Sequence, residues 1–257
     1  MPTAPPYSGT QAVRRAIALL KRFDDARPAW SLADLAQASG LNKTTAFRIL
    51  SALAGEGLVA RDEETQLYRL GPEAIAIGAR ALRSNDLRSV SRPVLEELAA
   101  RSGETATVET LLEGDVLILD EAHRRESPRA SPSVGTRWPA HATSTGKVLL
   151  AALDDATRAR HLRAPLARPA RRTITTLTAM KRELVRVRTQ GYATAVGELE
   201  DGYSAIGVGI RDHDGRVVAA VSLGGPTARL PLERLKGMLP MLQDAAERIS
   251  RQLGAPC

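Results

Sequence analysis

Cysteine is nearly missing from this 257-residue chain: the only one is Cys257, the last residue. Disulfides within the chain and cysteine-ligated metal sites are therefore excluded. No apolar run approaches the ~20 residues that span a bilayer. Residues Met1 to Thr10 lack the basic-then-apolar plan of a signal peptide, so a cytoplasmic protein without membrane association is expected. The four histidines (His123, His141, His161 and His213) show no metal-ligand spacing, and nothing in the sequence calls for a cofactor.

What is present is ordinary for a soluble domain with a full core: 43% apolar and 25% charged residues. The length fits one small and one medium-sized domain. A net charge of +7 is compatible with a polyanionic partner. The charge is spread thinly, however. Residues 1–84 carry eleven Lys/Arg against eight Asp/Glu, and residues 85–257 carry 25 against 21. Charge alone does not indicate DNA, so the pattern has to.

Residues 1–9 hold three prolines and no periodicity and read as a flexible tail. Gln11 to Phe23 places Val13, Ala16, Ile17, Leu20 and Phe23 on one helical stripe. Ser31 is a good N-cap for a short helix, Leu32 to Ala38, ending at Gly40. Asn42 then caps a second helix, Lys43 to Ala54, with Ala46, Ile49, Leu50 and Leu53 buried. Two short helices about a glycine turn make a helix-turn-helix plan. The second would expose Lys43, Thr44, Thr45, Phe47, Arg48 and Ser51, which can reach phosphates, base edges and thymine methyls. Leu58 to Arg61 and Gln66 to Leu70 form a hairpin, in the position of a wing. Its Arg61 and Arg69 are candidate phosphate contacts or plain surface charges. Glu73 to Arg83 is a linker helix.

Beyond Leu87 helices and strands alternate. Helices are expected over Val90–Arg101, Thr145–Ala152, Ala179–Thr189 and Pro231–Leu253. Hairpins are expected about Glu113-Gly114 and Asp212 to Arg216. Strands joined mainly as hairpins imply an α+β domain with a mainly antiparallel sheet. Arg158 to Arg172, with six arginines and two prolines, reads as a solvated loop.

Four segments carry a resemblance that covers nearly the whole chain. They are Gln11 to Leu20, Gly40-Leu41-Asn42-Lys43-Thr44-Thr45-Ala46-Phe47-Arg48-Ile49-Leu50, Pro139 to Ala151 together with Gly191-Tyr192-Ala193, and Glu198 to Pro226. In this order and spacing the chain resembles the IclR family of transcriptional regulators. The resemblance implies a winged helix-turn-helix over residues 10–71, a linker helix over 72–86 and a GAF-like effector and oligomerisation domain over 87–257. Implied partners are double-stranded operator DNA, a small-molecule effector and further copies of the chain, as dimer or tetramer.

The same resemblance places Ser144 and Thr145 in the effector pocket. Family members that sense small acids carry a polar aspartate, cysteine and serine where this chain has Ala195, Ala205 and Gly224. Ser222 is retained, and two usually aliphatic positions hold Trp138 and Tyr203. With fewer polar groups and more aromatic surface, the expected effector is a carboxylate with an apolar or aromatic body. Its acid end would meet the free N–H groups where the Ser144-Thr145 loop turns into a helix. Alternatively Trp138 and Tyr203 fill the core and leave a small or closed pocket, as in a ligand-independent regulator.

Two other chemistries are weighed against the sequence. Ser144-Thr145-Gly146-Lys147 is not a phosphate-binding P-loop, since His141 and Val148 stand where glycine and Ser/Thr are required. An enzyme would need a converging set such as Ser144, His141 and Glu198, yet no nucleophile elbow or metal motif surrounds them. A non-enzymatic protein is expected.

Overall fold

The computed structural model describes residues 10–24, 26–123 and 134–256, so the expected tail at residues 1–9 lies outside the described residues. The chain divides into two compact units between Ser84 and Asn85.

The first unit contains α1 (Thr10–Leu20), β1 (Ala29–Trp30), α2 (Leu32–Ala38), α3 (Lys43–Gly55), β2 (Val59–Arg61), β3 (Tyr68–Leu70) and α4 (Pro72–Arg83). Both N-caps form as the side chains predict: Ser31 Oγ accepts from Asp34 N–H at 3.1 Å, and Asn42 Oδ1 from Thr45 N–H at 2.8 Å. Gly40 lies at φ +65°, the left-handed geometry that lets α2 turn into α3. Leu19, Leu35, Leu50, Leu53, Val59 and Tyr68 form the core. The hairpin gains a third strand absent from the sequence reading, giving the order β1-β3-β2, all antiparallel. The stripe of α1 also differs from expectation. Leu19 is its buried residue, while Val13 and Ile17 are exposed. The helix is apolar over a wider arc than this core covers.

The second unit opens with α5 (Asp86–Ser102), β4 (Thr105–Leu112), β5 (Asp115–Ala122) and β6 (Arg137–Pro139). A 3-10 turn (Ala140–Ala142), α6 (Ser144–Ala152), α7 (Asp155–His161) and α8 (Leu177–Gln190) follow. The chain ends with β7 (Tyr192–Val196), β8 (Tyr203–Arg211), β9 (Val217–Pro226), α9 (Leu232–Gly237) and α10 (Leu239–Gln252). Six antiparallel strands run in the order β6-β5-β4-β9-β8-β7. Strand side chains alternate between two cores. Val108, Ile206, Val221 and Leu223 pack with α5 and α10, whereas Val116, Ala193 and Ala220 pack with α6 and α8. Both faces are therefore covered, and polar residues on the α6 face are enclosed rather than solvated.

Two expectations are corrected here. The C-terminal helix is broken at Met238, because Pro240 has no N–H to donate and suits only the first turn of a new helix, α10. The arginine-rich stretch is not wholly a loop. It begins within α7, and the mostly buried Arg158 donates to the carbonyls of Leu150 (3.0 Å) and Leu153, closing the end of α6.

Candidate functional site

In the first unit, α3 buries Ala46, Leu50 and Leu53 and turns Lys43, Thr44, Phe47, Arg48 and Ser51 outward. Thr45 is only half-buried rather than exposed, and its N–H donates to the Asn42 cap. Phe47 keeps 46% of its surface exposed, and α3 contains no acidic residue. A lone exposed aromatic between cations is costly in water and suited to contact with an apolar group on a polyanion.

The wing follows directly. Its turn is held by Asp62, whose Oδ1 accepts from both the N–H and the hydroxyl of Thr65 at 2.8 Å. Those bonds lower the Asp62 pKa, so the turn holds an anion at its base. Arg69 lies 4.0 Å from Asp62, and Arg61 stands over the Tyr68 ring at 5.5 Å. Both guanidiniums remain largely exposed.

In the second unit a cavity of about 70 Å³ lies between the first turn of α6 and the sheet. Of the residues singled out from the sequence, Trp138, Ser144, Thr145, Ala195, Tyr203, Ala205 and Ser222 come together in its wall. Gly224 does not line it. A Cβ at 224 would lie 2.5 Å from the Tyr203 hydroxyl, so the missing side chain makes room for that ring. Ala195, Ala205 and Gly224 form one row of small residues across β7, β8 and β9. Gly207 lets α6 sit close to the sheet, since a Cβ there would lie 3.0 Å from Thr145 N.

The cavity also has members not picked out from the sequence: Thr105, Thr107, Glu109 and Glu121. Thr105, Thr107 and Glu109 alternate on the α6 face of β4. Glu121 joins them because of a bulge in β5. Val108 pairs with Asp120 and Glu109 with Ile118, so Leu119 is the extra residue and the alternation shifts phase. Glu109 is buried and accepts from Thr107 Oγ1 at 2.7 Å and Thr145 Oγ1 at 2.5 Å. Thr107 in turn lies 2.7 Å from Ser222 Oγ. Burial raises the Glu109 pKa against the opposing pull of the two hydroxyls. The signal was readable in part: Thr105-Ala106-Thr107-Val108-Glu109 alternates strictly, but an exposed face shows the same alternation.

Beside the cavity, Lys147 is buried to 1% exposure. Its Nζ lies 2.7 Å from Glu198 Oε1, 2.9 Å from the Thr194 carbonyl and 3.5 Å from Glu183 Oε1. Burial raises the Glu198 pKa and outweighs the attraction of Lys147. Burial also acts to raise Glu183, but bonds to Arg186 and Lys147 leave it lowered. The cluster fastens the segment after β7, which carries the cavity residues Leu199 and Glu200, to α6. His141 instead pairs its Nε2 with the Ala167 carbonyl at 2.8 Å, and Glu198 faces Lys147. Ser144, His141 and Glu198 thus form no catalytic relay. Among the described residues, no group of three or more His, Cys, Asp or Glu could hold a metal, and no helix is long and apolar enough to cross a membrane.

Comparison with known proteins places both units. The IclR helix-turn-helix domain model matches residues 12–63, and the bacterial transcriptional regulator IclR C-terminal model matches residues 79–251. The HTH-type transcriptional regulator XynR of Escherichia coli is 32% identical over 251 residues, covering 96% of this chain and 98% of its own. An IclR transcriptional regulator from Alicyclobacillus acidocaldarius superposes with a TM-score of 0.83 at 30% identity, covering 95% of this chain and 98% of its own. An IclR homologue from Microbacterium hydrocarbonoxydans, solved in complex with 4-hydroxybenzoate, superposes with a TM-score of 0.78 at 29% identity. That match covers 94% of this chain and 98% of the homologue.

Proposed function

Because this chain belongs to the IclR family of transcriptional regulators, we propose that α3 reads an operator sequence and that the cavity beside α6 holds the controlling effector. The protein is a DNA-binding transcription regulator, not an enzyme. On this reading residues 10–71 bind DNA, residues 72–86 link, and residues 87–257 sense. It acts in the cytoplasm, where its DNA is.

The observation that carries the DNA reading is an acid-free helix presenting Lys43, Thr44, Phe47 and Arg48 directly ahead of a wing that bears Arg61 and Arg69. Arg48 reads a base edge, with Thr45 at the margin of the contact and the wing arginines on phosphates. Operator fragments selected from random sequence by the wild-type chain provide the test. Arg48→Ala should cut discrimination between selected and random DNA by about 1–3 kcal/mol. Unchanged selectivity would refute the assignment.

The effector is a carboxylate with an apolar body. The first-turn N–H groups of α6 offer its acid end partial positive charge, and Trp138, Ile118, Ala195 and Ala205 offer its body an apolar wall. The homologue solved with 4-hydroxybenzoate binds a molecule of this class. A cavity of about 70 Å³ is too small for even a six-heavy-atom acid such as isobutyrate unless its wall gives way. An aromatic ring needs about 150 Å³, so it would require Trp138 or Tyr203 to swing aside. Calorimetric titration with isobutyrate, benzoate and 4-hydroxybenzoate should give saturable binding for at least one, and that acid should change operator affinity. Heat from none of them would favour the ligand-independent regulator that the small cavity also fits.

Self-association belongs to the same reading. Val13 and Ile17 on α1 and Ile75 and Ile77 on α4 are between 48% and 72% exposed, more apolar surface than a lone DNA-binding unit needs. A second copy, in a dimer or tetramer, would cover them.

A further inference from the structure

The cavity poses an electrostatic problem for an acid. Among the described residues its wall contains Glu109, Glu121 and Glu200 but no lysine, arginine or histidine. A buried cation beside the cavity, Lys147, is engaged by Glu198, Glu183 and the Thr194 carbonyl. An anion placed against an ionised Glu109 at hydrogen-bond distance would meet like charge in a poorly hydrated site. The partial charge at the α6 terminus is too small to offset it.

Glu109 itself offers the resolution. Thr145 donates to one of its oxygens and Thr107, itself bonded to Ser222, to the other, and among the described residues no charged side chain bonds to it. We propose that Glu109 is the specificity residue of the cavity and holds the effector carboxylate through a single shared proton, as Glu109 O–H donating to the effector oxygen. The proton comes from solvent, and the complex carries one negative charge instead of two. This rests on the carboxylate reading above. Burial favours the neutral form of Glu109 in the empty cavity, so the donor is partly prepared before the effector arrives. The site then discriminates by proton inventory. It accepts monoacids, and it rejects diacids whose second charge would face Glu121 or Glu200.

Other groups near the cavity titrate and must be separated from Glu109. His123 lies 3.1 Å from Thr105 Oγ1 and 3.2 Å from Glu121, at the edge of the cavity. Lys147 stays outside the wall, and Glu200 stands on the segment after β7.

The test is titration calorimetry between pH 5.5 and 9 with isobutyrate, benzoate and 4-hydroxybenzoate, each paired with its neutral amide. For the wild-type chain, acid affinity should be flat at low pH and fall tenfold per pH unit once Glu109 ionises, because one proton is bound with each ligand. Runs in two buffers of different ionisation heat should show proton uptake rising toward one over the same range. The amide should show no such fall. Glu109→Gln replaces the O–H donor with a permanent N–H, so it should retain acid binding at pH 9, with the slope abolished. His123→Gln should leave the slope in place. Acid binding that stays flat to pH 9 in the wild type overturns the proposal, as does a slope that survives Glu109→Gln. Either result would leave the carboxylate reading standing. Binding of the amides alone at every pH would overturn both.

Discussion

Replacing Lys147 with methionine is expected to cost the C-terminal unit about 3–5 kcal/mol, among the largest effects of any single substitution in the chain. Methionine fills the volume but removes the charge, leaving Glu198 enclosed at 13% exposure without its partner and the Thr194 carbonyl without its donor. The cost should depend on pH in a defined direction. Without Lys147 the Glu198 pKa, already raised by burial, rises further. A raised folded pKa means that protonation favours the fold, and that this stability is lost as pH rises through it. The deficit should therefore be greatest at alkaline pH and shrink toward pH 5. The second change, Glu198→Gln, should restore much of the loss, since removing both members leaves no buried charge unpaired. The chain has two tryptophans, Trp30 and Trp138, one in each unit. In a Trp30→Phe background, urea unfolding followed by Trp138 fluorescence reports the C-terminal unit alone. A single-variant loss below about 1 kcal/mol, the scale of a surface pair, would show that the cluster is not structural.

That cluster marks where sequence stopped being informative. Features set within a few residues were legible: the caps Ser31 and Asn42, the glycine turn at Gly40, the hairpin at Glu113-Gly114 and the α6 boundary. Each depends on local backbone chemistry that a side chain announces. Features set by what packs overhead were not. Val13, Ile17 and Leu19 are equally apolar, and only the position of the α1–α3 contact decides that Leu19 is buried. Thr107 and Glu109 look like a solvent face until α6 is known to cover them. Glu121 reaches the cavity through a one-residue bulge that no residue type foretells. Lys147 gave a usable sign, a lone cation followed by Val148, Leu149, Leu150 and Ala151, but only long-range pairing identifies Glu198 as its partner. The cavity's small-residue row at 195, 205 and 224 was legible as lost polarity. Its buried acid was not, and it is the acid that sets the charge problem for any effector.

The second large effect is expected at Gly146, from sterics rather than charge. A Cβ at 146 would lie 2.1 Å from the Ala140 carbonyl oxygen and 2.4 Å from Ala140 Cα. Both are backbone atoms, so no side chain can rotate to relieve the overlap. The contact exists because Thr143 folds the chain back: its Oγ1 caps α6 by accepting from Gly146 N–H at 3.0 Å, and its own N–H reaches Ala140 O. Gly146→Ala must separate the 3-10 turn from α6 and break that cap, at a cost of about 3 kcal/mol or more. For a unit of this size that corresponds to a fall of roughly 6–12 °C in the Trp138-reported midpoint. Gly78, in the middle of α4, supplies the opposite sign, since an added Cβ there would meet nothing within 4 Å beyond the helix's own backbone. There alanine relieves only backbone entropy, and Gly78→Ala should stabilise its helix by up to about 1 kcal/mol. The two substitutions are chemically identical, so opposite outcomes would assign the loss at 146 to the close approach of α6 rather than to glycine as such. The same displacement moves Ser144 and Thr145, so any Gly146→Ala protein that still folds should lose effector binding while its DNA-binding unit keeps its affinity for isolated operator half-sites. A Gly146→Ala chain with an unchanged midpoint and unchanged effector affinity would mean that α6 can retreat freely, and the cavity would then be a far softer site than its packing indicates.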